Sequence, residues 1–165
     1  MTDKKKESRD ADFNRLIRNL FHAEEWKERA EAARNLGYLQ DGRAVNLMCK
    51  ALRKEGEYMV VNRIIEALGR IQNPKATLLI VEKLKEEIDK KEPDKFRVTT
   101  IIESLMDIKD KRALPYIGYF LNSEDEELKK LAQDAFDLIE PEWKTILEKE
   151  KAKEKSIQDV FKTNL

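Results

Sequence analysis

The chain has 165 residues, of which 33 are basic and 33 acidic, so its formal net charge is zero while 40% of it is charged. A length of this order forms one domain that hides about 70% of the surface its unfolded chain exposes, and the balanced charge argues against a general attraction to nucleic acid or to an anionic membrane, both of which need a continuous excess of Lys and Arg. The single cysteine, Cys49, cannot form an internal disulfide, and no apolar run approaches the roughly 20 residues that cross a bilayer.

Residues 1–10 are charged nearly throughout and read as a disordered polar leader without the apolar stretch of a secretion signal. These features together lead us to expect a cytoplasmic protein. Phe13, Leu16, Ile17, Leu20 and Phe21 then fall at helical spacing, which predicts a helix over 11–22. Trp26, Ala30, Ala33, Leu36 and Leu39 make a second stripe, and Ala44, Val45, Met48, Cys49 and Leu52 a third after the Asp41-Gly42 turn, giving a first hairpin over about 24–54. A second hairpin, 57–90, carries Val61, Ile64, Ile65, Leu68 and Ile71, then Asn73-Pro74, then Ala76, Ile80, Val81 and Leu84. Proline is tolerated there because the first turn of a helix has no use for its missing N–H.

The third hairpin, 94–122, has Val98, Ile101, Ile102, Leu105 and Ile108 followed by Ala113, Leu114, Ile117 and Leu121. The charged run from Glu86 to Lys95 before it predicts a helix extension and a longer loop. The fourth, 124–155, opens on the cap-like Ser123-Glu124-Asp125-Glu126 and buries Leu128, Leu131, Ala132, Ala135, Phe136 and Ile139, then Trp143, Ile146 and Leu147. Residues 156–165 form a short amphipathic tail with Ile157, Val160, Phe161 and Leu165, whose spacing suits a helix lying in a groove of this chain or of another.

The element these hairpins share is an elbow. Leu36-Gly37-Tyr38-Leu39-Gln40-Asp41-Gly42-Arg43-Ala44 returns 32 residues later from Leu68 as Leu-Gly-Arg-Ile-Gln-Asn-Pro-Lys-Ala, again from Leu105 as Leu-Met-Asp-Ile-Lys-Asp-Lys-Arg-Ala, and as a remnant at Phe136 to Pro141. Two helices per period of this length mean hairpins that bury their apolar flanks only by stacking on neighbours. The pattern Ala-x-x-Leu-Gly-x-Leu-x-Asp-x-Arg-Ala-Val, at Ala33 to Val45, resembles the short HEAT-like repeats first recognised in phycobilin lyases. The resemblance extends from about residue 11 to 150 and implies an all-α, right-handed αα-superhelix of about four hairpins, with helix 11–22 as an N-terminal cap. In such repeats Gly37 and Gly69 are expected to admit the neighbouring hairpin closely, with Met106 and Asp137 departing from the pattern. Asp41, Asn73 and Asp110 are expected to cap the second helices, and Arg43, Lys75 and Arg112 to pair with acidic groups of adjacent repeats.

Chemistry is sparse. His22 is the only histidine, which removes most metal and general-base arrangements. The iron-dependent deoxyhypusine hydroxylases are built from similar repeats but need several His-Glu pairs. Cys49 lies on an apolar stripe, as an inert core thiol does. There is no Gly-rich phosphate loop, and the mixed-sign helices are a poor match to repeat-built DNA glycosylases, which grip DNA with a basic face. We therefore expect no enzyme activity, no cofactor and no metal.

The resemblance places the second helices on the concave side. Counting from the capping Asp or Asn, their positions seven, ten and eleven lie off the core stripe. They are Leu47, Lys50 and Ala51 in the first hairpin, Leu79, Glu82 and Lys83 in the second, and Tyr116, Tyr119 and Phe120 in the third, and all of these but Ala51 are the expected partner-binding residues. An apolar centre with a charged rim suits recognition, and the same side chains are also suited to sealing the seam between repeats. The expected function is a non-catalytic scaffold or adaptor that binds a protein on the concave face, as a monomer or weak homo-oligomer. The alternative is an accessory factor of the phycobilin lyase type that handles a prosthetic group on a partner.

Overall fold

The computed structural model describes residues 3–151 and 157–163, and every regular element among them is helical. The chain forms two compact units, Met1–Ala76 and Thr77–Leu165.

Unit one contains α1 (Asp3–His22), α2 (Trp26–Leu39), α3 (Ala44–Lys54) and α4 (Tyr58–Ile71), closed by a 3-10 turn at Pro74–Ala76. Helices α2 and α4 run side by side, while α1 covers α2 and α3 as a cap helix does. The close approach depends on a missing side chain: a Cβ on Gly37 would lie 2.8 Å from both the Cα and the Cβ of Ala67. Gly69, the equivalent glycine, is also buried.

Each of the first three elbows leaves its first helix through a left-handed residue that is not glycine, namely Gln40 (φ 48°), Gln72 (φ 58°) and Lys109 (φ 59°). An L side chain in that region costs about 1–2 kcal/mol. At Gln40 part of the cost is offset, because its Nε2 donates to the Arg70 carbonyl at 3.0 Å. The next residue caps as expected: Asp41, Asn73 and Asp110 each accept the N–H two residues on, at 3.0 Å.

Arg43 reaches a carboxylate of the neighbouring cap helix as expected, Asp10, and the elbow arginines also make a contact that was not expected. Arg43 and Arg112 grip their own capping carboxylates, Asp41 and Asp110, through Nε and Nη2. Burial pushes the Asp110 carboxyl upward, but the Arg112 hydrogen bonds prevail and hold it below the ordinary aspartate range. Contact with a neighbouring helix is made by Arg43, which also reaches Asp10 at 2.8 Å, and by Lys111, which binds Glu140.

The contact to Asp10 corrects the expected leader. Residues 3–10 are the first turns of α1, tied down where Arg9 Nη2 donates to the Leu39 carbonyl at 2.9 Å and Asp10 meets Arg43. Long-range polar contacts, invisible to apolar periodicity, position this charged stretch.

A second tie holds the hairpin ends. Arg29 donates to the carbonyls of Ala23 and Glu24 and, at 2.9 Å, to Glu55, whose Oε1 accepts the N–H groups of Gly56 and Glu57 at the entry to α4. Burial works to raise the Glu55 carboxyl, yet the Arg29 bond and these amides outweigh it and hold it below the usual range. A carboxyl depressed on folding adds stability at neutral pH that is lost as pH falls through its folded value.

Unit two contains α5 (Thr77–Ile88), α6 (Lys95–Ile108), α7 (Leu114–Ile117), α8 (Glu126–Ile139), α9 (Trp143–Lys151) and α10 (Ile157–Thr163). The loop expected between α5 and α6 is organised by Glu87, buried although charged, which accepts the Asp94 N–H at 2.9 Å and binds Lys90. Asp94 caps α6 through the Arg97 N–H, and Asp125 caps α8 through those of Glu127 and Leu128. Lys95 bridges Asp125 and Glu127 at 2.9 and 2.6 Å, joining the two helix starts.

The second helix of the third hairpin is not a continuous α-helix. Four residues of α7 are flanked by 3-10 turns at Lys111–Ala113 and Gly118–Asn122. With three residues per turn in 3-10 winding, Leu114, Ile117 and Phe120 line up on one edge, and all three are buried. In the fourth elbow Asp137, which replaces the glycine, accepts the Trp143 indole N–H at 2.7 Å, while Phe136 meets the Trp143 ring at 5.1 Å.

The tail docks within its own unit. Helix α10 packs on α7, the 3-10 turns either side of it, and α9. Val160 and Phe161 are buried, and the Phe161 ring stands edge-on to Phe136 at 5.1 Å. Seven residues are too few to hold a helix in water unaided, so docking is what makes α10 helical. Leu165, counted as part of this apolar face from sequence, lies outside the described residues.

Candidate partner-binding surface

The eight residues expected on the concave face divide between the units. In unit one Leu47 is half-buried on α3 and Lys50 is exposed. In unit two Glu82 is exposed, Lys83 and Tyr116 are half-buried, and Tyr119 is 49% exposed.

Two expectations are corrected. Leu79 and Phe120 are 5% and 2% exposed, so they serve the core and present no free surface. For Phe120 the reason is the winding of its segment. An α-helical count places it off the core stripe, whereas 3-10 winding brings it under Ile117. For Leu79 the apolar arc of α5 is wider than the core stripe, running through Thr77, Leu79, Ile80, Val81 and Leu84.

Of these eight residues, Tyr119 and the buried Phe120 behind it line a groove of ≈ 930 Å³ in unit two. One wall is the α5–α6 loop with Pro93 and the start of α6 at Lys95. Tyr119, Asn122, Leu128 and Ile157 also line the groove. Tyr119 stands edge-on to the buried Phe120 at 5.1 Å between ring centroids, so its base is fixed while its outer face meets solvent. Tyr116 carries the Lys85 ammonium 5.8 Å from its ring centre.

Other exposed apolar side chains escaped the sequence reading because they fall off every core stripe. In unit one they include Tyr38, whose ring centre lies 5.6 Å from the Arg34 guanidinium and 4.5 Å from that of Arg70, whereas Trp26, expected on the core stripe of α2, is corrected to an exposed position. The hydrogen bond from Arg34 and the charge of Arg70 lower the Tyr38 phenol from its ordinary value. In unit two Leu78, Phe96 and Leu138 are exposed. The only available sequence signal was an aromatic or leucine at a position no neighbour required.

Reactive groups are few. Burial raises the Cys49 thiol, which therefore stays protonated. Among the described residues no group of three or more His, Cys, Asp or Glu is placed to hold a metal ion, and no helix is long and apolar enough to cross a membrane.

The geometry within each unit is that of helical hairpins with capped elbows. Comparison with protein families agrees: the model for HEAT repeats matches residues 13–90. Residues 13–90 are thus HEAT-like repeats, and every regular element among the described residues is helical. A search of curated proteins gave no match.

Proposed function

We propose that the chain is a non-catalytic scaffold or adaptor that binds a partner protein, with the groove beside Tyr119 in unit two as its recognition surface. HEAT repeats are generally protein-interaction scaffolds, and the observation that carries the choice of surface is the half-exposed Tyr119, buttressed by Phe120, at the wall of a groove of ≈ 930 Å³. An anchored aromatic with a free face, rimmed by Lys95, Glu92 and Asp125, has the make-up of a binding hot spot.

The test is affinity capture from the native organism with intact chain and with the Tyr116→Ala, Tyr119→Ala double variant. Neither ring is fully buried, so the variant is expected to keep its helix content. A saturable protein partner lost on the double substitution is the expected result, and capture that survives it places recognition elsewhere.

The groove's volume also falls in the range of small-molecule sites, roughly 300–1,000 Å³. That supports a second reading, an accessory factor of the phycobilin lyase type. A change in visible absorbance on mixing with a linear tetrapyrrole would favour it.

A further inference from the structure

We propose that the place occupied by α10 is a receptor for short amphipathic helices, filled in cis by the chain's own tail. A partner helix with apolar residues at i, i+3 and i+4 enters it by displacing that tail. The inference rests on the reading of unit two as the recognition unit, and it names the chemistry of the partner.

The receptor has a shape specific to its occupant. A Cβ on Gly118 would lie 2.8 Å from Ile157 Cγ2, so the absent side chain is what admits the first anchor. The third anchor, Phe161, meets Phe136 edge to face at 5.1 Å, and Val160 between them is 1% exposed. The floor does not need α10 to be organised. Phe136 is packed against Trp143, whose indole is held by Asp137 at 2.7 Å, and these contacts lie within α8 and α9. Ile157 also lines the groove beside Tyr119, so the receptor and the proposed recognition surface are continuous.

The occupant, by contrast, is easily exchanged. Helix α10 has seven residues and an outward side with Asp159 and Lys162 exposed, and a helix of that length persists only while docked. The connecting sequence Ala152-Lys153-Glu154-Lys155-Ser156 carries no large apolar residue to add grip. Tethering supplies the tail at an effective concentration of roughly millimolar, so an untethered helix competes at a disadvantage unless it binds more tightly or the tail is disabled.

The probe is a labelled synthetic peptide of residues 155–165, titrated by fluorescence anisotropy against the full chain and against full-length Phe161→Asp, with Val160→Asp as a second disabled form and circular dichroism verifying helix content. The peptide is expected to bind both disabled chains at least tenfold more tightly than the wild type. A peptide carrying Phe161→Ala is expected to lose that binding, as is a disabled chain that also carries Gly118→Leu. Equal affinity for wild-type and disabled chains, no binding to either disabled chain, or indifference to the peptide's phenylalanine would overturn the proposal. So would a tail-exchanged dimer of the wild type, which assigns the receptor to a second copy. Loss of peptide binding with tyrosine-dependent capture retained removes this inference alone, whereas tyrosine-independent capture removes the reading of the groove.

Discussion

Replacing Gly37 by valine is expected to lower the free energy of unfolding by about 1–3 kcal/mol, the range for overpacking a well-filled contact. The first added carbon meets Ala67 Cα and Cβ at 2.8 Å, and a Cα retreats only if its helix moves. Valine is a better helix former than glycine by less than about 1 kcal/mol, so propensity offsets only part of the clash. With Tm shifting by roughly 2–4 °C per kcal/mol at this chain length, a drop of several degrees is expected in thermal denaturation. Gly42→Ala is the natural control, because nothing lies within 4 Å of a Cβ there. If Gly37→Val melted with the wild type, the close contact of α2 and α4 would not depend on the elbow glycine.

Phe136→Ala is expected to have the largest effect of any single substitution proposed, about 3–5 kcal/mol by the usual cost of truncating a buried phenylalanine. Its ring is fully buried and touches Trp143 on one side and Phe161 on the other, so truncation opens a cavity under two elements at once. Phe161→Ala removes the same aromatic pair from the other side but should cost much less globally, because α10 can leave its place without unfolding α8. Denaturation by urea separates the cases: Phe136→Ala should move the main transition, and Phe161→Ala should leave it nearly unchanged. Equal shifts for the two would make α10 an integral part of the core and contradict its exchangeability.

The elbows were legible in the sequence because their physics is local. A capping Asp or Asn binds an N–H two residues away, and the small residue before it recurs at a fixed distance from the apolar stripe. The helical identity of every stripe from Phe13 onward followed from periodicity for the same reason. Two features were not legible, each because a distant contact decided it. Residues 3–10 carry no apolar signal, and their helix is tied through Arg9 to Leu39 and Asp10 to Arg43.

Phe120 was misplaced because the count assumed α-helical winding through Gly118. The change to 3-10 accompanies a glycine whose open side receives Ile157 from the tail. Arg43 reaches across to Asp10 as expected, and both it and Arg112 also hold the cap two residues before them, a contact the repeat pattern did not point to. Of the candidate site, Tyr119 was legible as an aromatic off the core stripe. The groove beside it was not, since its walls come from the α5–α6 loop and from Leu128 and Ile157, which no single period relates.

On the reading proposed above, unit two receives the partner, at the groove of Tyr119 and the place of α10. Hydrogen–deuterium exchange on the full chain, with and without the captured partner, tests it most directly, because exchange reports opening segment by segment. Partner binding is expected to slow uptake from Gly118 to Leu128, to speed it from Ile157 to Thr163 as the tail is displaced, and to leave α2 and α4 unchanged. Protection confined to α2 and α4 around Trp26 and Tyr38, with both unit-two segments unaltered, would contradict it.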